Sequence, residues 1–128
     1  MSKRILVIED QEDNRRIVRD LLTSVGYEMI EAATGEEGLV QAERHRPDLI
    51  LMDIQLPGLD GYEATRRIKA NPALRHIPII VVTSYALSGD DVKAFEAGCD
   101  AYVTKPFVPR ELLAKIREYL GSRREDGA

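Results

Sequence analysis

The sequence of 128 residues has no tryptophan and one cysteine, Cys99. A lone cysteine cannot form a disulfide within the chain, so a reducing compartment is the simpler expectation. The sequence also lacks an apolar stretch long enough to span a bilayer, and residues 1–10 resemble a strand rather than a signal peptide. We therefore expect a soluble, cytoplasmic protein that does not bind membranes.

Basic clusters are also scarce. The 18 lysines and arginines are interspersed with 22 acidic residues, the net charge is -4, and basic residues do not cluster beyond short pairs such as Arg123-Arg124. This distribution argues against a nucleic-acid-binding surface. The length suits one domain that buries roughly two-thirds of the surface of its unfolded chain. We expect a single domain over residues 1–121, a disordered C-terminal tail over residues 122–128 and no effector domain.

Short apolar runs rich in β-branched residues alternate with helical patterns along the chain. Those that end at Ile8, Met52 and Val82 are apolar throughout, which is typical of strands covered by helices on both faces. The pattern predicts an α/β fold with an open, doubly wound, five-stranded parallel sheet. The expected strands are residues 5–8, 27–32, 49–52, 79–82 and 101–103.

Helix boundaries are marked by capping residues. Gly26 is expected to end the first helix in a left-handed conformation, Thr34 and Glu37 form a capping box for the second, and Asp60 caps the third. A fourth helix over residues 88–97 has few apolar residues, so we expect it to pack least firmly. The apolar stripe of the first helix comprises Ile17, Val18, Leu21, Leu22 and Val25.

Three of the predicted strands end in charged residues. Glu9 and Asp10 follow the first strand, Asp53 follows the third and Lys105 follows the fifth. If these strands are parallel, their carboxyl ends converge. We therefore expect three acids and one lysine to meet in a single crevice.

Carboxylates held close together raise one another's pKa unless a cation shares the site. Ligands that are all oxygen favour a hard divalent ion, and Mg²⁺ suits a few carboxylates, a carbonyl and several waters. Asp10 and Asp53 are the expected direct ligands, with Glu9 one water removed and the backbone carbonyl of Gln55 completing the protein side. Lys105 offers a positive charge for an anion, and phosphate is the anion that Mg²⁺ and lysine most often share.

Thr83 ends the fourth predicted strand, where its hydroxyl can donate to a phosphoryl oxygen. Together these residues indicate phosphoryl transfer to Asp53 as the nucleophile. Each residue also has a simpler interpretation: the acids as a solvated loop, Thr83 as a turn cap, Tyr102 as a half-buried strand aromatic, and Lys105-Pro106 as a turn. The shared strand-end context favours a site.

The sequence resembles the receiver domains of two-component response regulators, the CheY-like family, over residues 3–120. Five features in order carry the resemblance, and any one of them alone would be weak. They are Glu9-Asp10, Asp53 with the following Leu56-Pro57-Gly58-Leu59-Asp60-Gly61, Thr83, Tyr102, and Lys105-Pro106.

The resemblance implies the flavodoxin-like (βα)5 topology with strand order 2-1-3-4-5. It also implies that Asp53 is the phosphoacceptor, that Glu9 and Asp10 bind Mg²⁺, that Lys105 contacts the phosphoryl group, and that the bond to Pro106 is cis. A switch pair of Thr83 and Tyr102 would move the face formed by the fourth helix, fifth strand and fifth helix. Implied partners are a sensor histidine kinase or histidine phosphotransfer protein and a downstream protein, with the receiver a monomer or weak dimer.

Gln55 and Tyr85 occupy positions that flank the phosphoryl group in receivers and influence its hydrolysis. Glutamine is a poor base for activating water and the aromatic ring at Tyr85 can shield the group, so we expect slow autodephosphorylation. Haloacid-dehalogenase-type phosphatases carry an aspartate where this chain has Gln55, which favours a switch over an enzyme.

Two further alternatives remain open from the sequence. The chain resembles single-domain relay receivers, but it can also be read as part of a DNA-binding regulator or hybrid histidine kinase. The acidic residues after the first strand and the absence of tryptophan disfavour a flavodoxin-like flavin carrier.

Overall fold

A computed structural model describes residues 2–83 and 90–121. Within these ranges five strands alternate with five helices, as the sequence predicts. In chain order the elements are β1 (Arg4–Ile8), α1 (Glu12–Ser24), β2 (Glu28–Ala32), α2 (Gly35–His45), β3 (Leu49–Asp53), α3 (Gly61–Ala70), β4 (Ile79–Thr83), α4 (Asp90–Ala97), β5 (Ala101–Thr104) and α5 (Pro109–Leu120). The tail predicted over residues 122–128 lies outside the described residues.

The strands form one parallel sheet in the order β2-β1-β3-β4-β5. This confirms the expected α/β fold and its doubly wound topology. β3 lies in the middle, with Met52 opposite Ile8 of β1 and Asp53 opposite Val82 of β4. The carboxyl ends of β1, β3 and β4 therefore lie side by side.

Helices cover both faces of the sheet. Leu6 and Ile8 of β1 point into a core shared with α2, α3 and α4, whereas Ile5 and Val7 point into a core shared with α1 and α5. Because successive strand residues face opposite sides, both faces of β1 must be apolar. The central strands thus carry no polar face, and their polar chemistry is confined to their ends.

The predicted capping residues are confirmed. Gly26 has a φ of 91° after α1, and the Thr34 side chain accepts a hydrogen bond from the Glu37 N–H at 3.0 Å. The Glu37 carboxylate accepts one from the Ala33 N–H at 2.6 Å, one residue before the helix cap. Asp60 likewise accepts from the Glu63 N–H, at 2.9 Å. These bonds satisfy N–H groups that lack intrahelical partners.

The predicted apolar stripe of α1 is wrong at one position. Val18 and Leu22 are buried against the sheet, but the Ile17 side chain is 57% exposed. Successive helical residues differ by about 100° in direction, so a face centred on Val18 and Leu22 leaves Ile17 beyond the edge of the covered sector.

The fourth helix is thinly anchored. In α4, Ala94 and Ala97 are buried, whereas Val92 and Phe95 are about half exposed. Its expected start at Ser88 lies outside the described residues. No helix within the described ranges is both long enough and apolar enough to cross a membrane.

Candidate functional site

The structure brings the predicted acids and lysine together at the carboxyl ends of the strands. Oxygen atoms from the carboxylates of Glu9, Asp10 and Asp53 lie within 4.8 Å of one another. The Lys105 Nζ lies 2.5 Å from Glu9 Oε1 and 3.7 Å from Asp53 Oδ2. Parallel strand topology thus gathers into one crevice charges that are up to 96 positions apart in sequence.

Glu9 is held from both its backbone and its side chain. Its N–H donates to the Ala32 carbonyl at 3.0 Å, which extends the pairing of β1 with β2 by one residue. Its carboxylate accepts from Lys105 and, at 3.1 Å, from the Gln11 N–H. Burial opposes ionisation of Glu9, but these two hydrogen bonds prevail and lower its pKa. Glu9 is therefore a fixed negative charge in the crevice.

Asp53 is the opposite case. It is the last residue of β3, only 8% exposed, and its Oδ1 accepts a hydrogen bond from the Gln55 N–H at 3.3 Å. Burial, followed by the charge of Glu9, raises the pKa of Asp53 to about 7, although Lys105 opposes the shift. Lys105 and the Gln55 N–H do not fully compensate the negative charge of the ionised Asp53. A bound cation would therefore stabilise the ionised form.

Lys105 reaches the crevice from the end of β5. Its N–H donates to the Thr83 carbonyl at 2.7 Å, which ties it to the end of β4. The Lys105–Pro106 peptide bond is cis, as the resemblance implied.

The predicted switch residues lie on neighbouring strands, Thr83 at the end of β4 and Tyr102 within β5. Thr83 is 1% exposed and follows Val82, the residue opposite Asp53 in β4. Tyr102 of β5 is half-buried and packs against the core shared with α2, α3 and α4. Tyr85 lies outside the described residues.

Gln55 is exposed beside the crevice. Its N–H contacts Asp53, while the predicted role of its carbonyl in binding a metal stays a prediction.

Three further residues, which the sequence did not predict, shape the site. Asn14 Nδ2 lies 3.5 Å from Glu9 Oε1, and Arg15 Nη1 donates to the Glu9 carbonyl at 2.7 Å. Gly61 packs so closely on the backbone of Asp53 that a Cβ there would overlap it. The position of Gly61 in the Asp60-Gly61 pair after Asp53 was visible in the sequence, whereas nothing in the local sequence distinguishes Arg15 from its neighbour Arg16.

A cavity of about 510 Å³ adjoins the crevice between α1 and α5. Glu9, Asp53 and Lys105 lie on its polar border, and the rest of its wall is mainly apolar, including Leu51 and Phe107. An apolar wall on this side limits hydration of Asp53, in keeping with its raised pKa.

The donor set fits a hard divalent cation. Three carboxylates supply only oxygen ligands, and among the described residues they are the one group of this kind able to hold a metal ion. A lysine beside such a set favours an anion that bridges the cation and the ammonium group. The arrangement can therefore hold a cation and an oxyanion next to Asp53.

Comparison with known proteins agrees with this geometry. The family model described as the response regulator receiver domain matches residues 5–117. The polar-differentiation response regulator DivK of Brucella anthropi is 46% identical over 121 residues, which cover 94% of this chain and 98% of that protein. DivK of Brucella ovis is 45% identical over the same shares of both chains. The expected likeness to single-domain relay receivers, DivK among them, is confirmed.

Solved structures give the same result. The receiver domain of a sensor histidine kinase from Pseudomonas aeruginosa, with a magnesium ion coordinated in its active-site cleft, is 41% identical, with a TM-score of 0.88 over 95% of this chain and 100% of that one. A putative response regulator from Chloroflexus aurantiacus is 32% identical, with a TM-score of 0.91 over 95% of this chain and 100% of that one. This chain belongs to the response regulator receiver domain family of two-component signalling proteins and is similar to the single-domain regulator DivK.

Proposed function

We propose that this receiver is a phosphorylation-dependent switch in which Asp53 accepts a phosphoryl group from a sensor histidine kinase or a histidine phosphotransfer protein. The observation that carries the proposal is the position of Asp53: a buried carboxylate with a pKa of about 7, within 4.8 Å of two other acids and 3.7 Å from Lys105. The ionised Asp53 is stabilised by positive charge, and the three carboxylates can bind a cation beside it. Both properties suit a nucleophile for phosphoryl transfer.

Mg²⁺ is the cation that we assign to the crevice. Asp10 and Asp53 would bind it directly, Glu9 through a water molecule, and the Gln55 carbonyl would complete the protein side. When bound, it would neutralise charge on the transferring phosphoryl group and favour the ionised form of Asp53. The magnesium-containing histidine kinase receiver from Pseudomonas aeruginosa supports this choice.

In the transfer step, an oxygen of the ionised Asp53 attacks phosphorus. The P–N bond of the donor phosphohistidine breaks as the new P–O bond forms, and the bond's electron pair stays with the imidazole. Lys105 Nζ pairs with Glu9 and lies 3.7 Å from Asp53 Oδ2. A phosphoryl oxygen on Asp53 would compete with Glu9 for this ammonium group. Glu9 would then hold the cation side of the site while Lys105 holds the anion side.

Phosphorylation would change the state of the receiver through Thr83. The new group adds roughly -1.5 to -2 charges and three strong acceptor oxygens next to its buried hydroxyl. Movement of Thr83 toward these oxygens would free space for the ring of Tyr102, and the thinly anchored α4 would shift with it. To shift the ratio of active to inactive receiver from about 1:99 to 99:1, the phosphoryl group must favour the active state by ~5.5 kcal/mol. A few charge-assisted hydrogen bonds can supply this difference.

The partner would read the face made of α4, β5 and α5. Half-exposed Val92 and Phe95 on α4 supply apolar contact area on this face. The near end-to-end match with DivK supports a function as a single-domain relay receiver. This match does not favour the alternative, a receiver that functions within a DNA-binding regulator or a hybrid histidine kinase.

We expect the phosphorylated protein to be long-lived and not to turn over phosphate as an enzyme does. Gln55 lacks the basicity to activate the attacking water, and the aromatic residue expected to shield the phosphoryl group is Tyr85. The half-life of phospho-Asp53 with Mg²⁺ should be minutes or longer.

The central test is phosphorylation of the purified chain with acetyl phosphate, followed by intact-mass measurement. We expect the mass of one phosphoryl group to be added with Mg²⁺ present and not after chelation. Asp53→Asn should abolish the addition, and Asp10→Asn should raise the Mg²⁺ concentration that the addition requires. Asp13→Asn is the matched control, because its side chain is 88% exposed on α1. Unchanged mass of the wild type with Mg²⁺, or phosphorylation of Asp53→Asn, would contradict the proposal.

A further inference from the structure

Arg15 is enclosed, unlike most arginines on a helix surface. Its side chain is only 15% exposed, and all three of its nitrogens have acidic or carbonyl partners. Nη1 donates to the Glu9 carbonyl at 2.7 Å, Nε donates to Glu31 at 3.1 Å, and Nη2 lies 3.5 Å from Glu12. The guanidinium thus connects α1 and β2 to the backbone of the acid pair.

The carbonyl that Arg15 binds belongs to the peptide unit joining Glu9 to Asp10. A peptide unit is planar, so a bond that restrains its oxygen also restrains the N–H and Cα of Asp10. The other side of Glu9 is already fixed, since its N–H donates to the Ala32 carbonyl of β2. The two bonds together restrain the backbone that bears the two carboxylates from both sides of Glu9.

The charge of Arg15 is largely balanced where it lies. Glu31 and Glu12 are its ion-pair partners, and Glu31 is held in turn by Arg19, at 2.7 Å from Nε and 2.6 Å from Nη2. The Arg19 hydrogen bonds, together with those from Arg15, lower the pKa of Glu31 despite its partial burial, so Glu31 stays ionised at neutral pH. Arg15 therefore acts on the crevice chiefly through its hydrogen bond to the backbone.

We propose that Arg15 is a positioning residue for the metal site: it holds the Glu9–Asp10 peptide so that both carboxylates face the cation. This deepens the proposed function and rests on the Mg²⁺ site assigned above. Loss of groups that orient metal ligands commonly weakens metal binding by 10- to 100-fold, and we expect about tenfold for Arg15→Ala. A purely electrostatic effect has the opposite sign, because removal of a nearby positive charge strengthens binding of a cation.

The experiment is an Mg²⁺ titration of the unphosphorylated full chain, followed by the amide NMR signals of Asp10 and Gln11. Arg15→Ala should raise the dissociation constant about tenfold and speed amide exchange at Asp10 in metal-free protein. Arg15→Lys keeps a donor for the Glu9 carbonyl and should recover most of the affinity. Arg15→Met keeps the aliphatic stem and replaces the alanine variant if that protein does not fold.

Two arginines on the same helix are matched controls. Arg16 is 66% exposed, with Asp13 its ion-pair partner at 3.6 Å, so Arg16→Ala should leave Mg²⁺ affinity unchanged. Arg19→Ala removes bonds to Glu31, a partner of Arg15, while keeping the direct Arg15 contact with Glu9, so it should weaken Mg²⁺ binding less than Arg15→Ala does.

The inference is overturned if Arg15→Ala and Arg15→Met bind Mg²⁺ as tightly as the wild type or more tightly, if Arg15→Lys binds no better than Arg15→Ala, or if Arg19→Ala weakens binding equally. Failure of the proposed function is distinguishable, because in that case the wild type itself would not bind Mg²⁺ or accept a phosphoryl group. Wild-type binding with unaffected Arg15 variants overturns the role of Arg15 alone.

Discussion

Asp53 should make the stability of the metal-free protein depend on pH. Its pKa is raised from the ordinary 3.8 to about 7 by burial and then by the charge of Glu9. Between these values the folded state holds a proton that the unfolded state has lost, so stability falls as pH rises through this window. At pH 8 the ionised Asp53 opposes folding, whereas at pH 5 it is protonated in the folded protein.

The magnitude follows from the separation of the two pKa values. Each unit is worth about 1.4 kcal/mol, so the full penalty is roughly 4 kcal/mol, of which about 2 to 3 kcal/mol develops between pH 5 and pH 8. Asp53→Asn removes the ionisable group and keeps the shape. The stability of the variant relative to wild type should therefore increase by roughly 2 to 3 kcal/mol between pH 5 and pH 8.

Urea unfolding followed by far-ultraviolet circular dichroism, with a chelator present, measures this difference. Other titrating groups affect both proteins, so they largely cancel when the two are compared at each pH. Saturating Mg²⁺ at pH 8 should stabilise the wild type more than the variant, by about 2.7 kcal/mol at 100 times the dissociation constant. A wild-type-to-variant difference that is the same at pH 5 and pH 8 would refute the reasoning.

Two other predictions test the surroundings of the site. Gly61→Ala should destabilise the fold by about 1 to 3 kcal/mol in urea unfolding, because the new Cβ would lie 2.7 Å from the Ile54 Cα and clash with the Asp53 backbone. This clash outweighs the better helix propensity of alanine. A stabilised variant would contradict the prediction. Cys99 should react with a thiol reagent at pH 8 only after unfolding in urea, because burial, followed by the charge of Asp100, raises the pKa of its thiol to about 11. Rapid labelling of the folded protein would contradict this description of the Cys99 environment.

Much of the fold could be predicted because local and global signals agree. The apolar runs of β1, β3 and β4 are buried on both faces, so their composition alone indicates a covered parallel sheet. Caps at Thr34 and Asp60 depend on bonds within three residues, which sequence spacing records directly. The prediction that the three acids and Lys105 lie in one crevice required only the assumption that the strands are parallel.

The predictions from sequence are wrong or incomplete where tertiary contacts determine which side chains are buried or paired. Ile17 fits the apolar spacing of α1, but the packing of the helix on the sheet buries Val18 and Leu22 and leaves Ile17 exposed. Arg15 and Arg16 are adjacent and chemically identical, yet only Arg15 faces Glu31, which lies 16 positions away on β2. Convergence of the acids predicts a raised pKa for Asp53, but burial, which is the larger cause of the shift, depends on the packed structure.

The place of Asp53 at the end of the middle strand has a further consequence. Strand β3 is hydrogen-bonded to a neighbour on each side, and its interior residues are inaccessible to solvent or nearly so. Its amides should be among the last to exchange with deuterated solvent, since their exposure would require most of the molecule to unfold. If Asp53 is phosphorylated as proposed, the rearrangement that follows should arise in the elements around β3, while β3 itself keeps its place in the sheet.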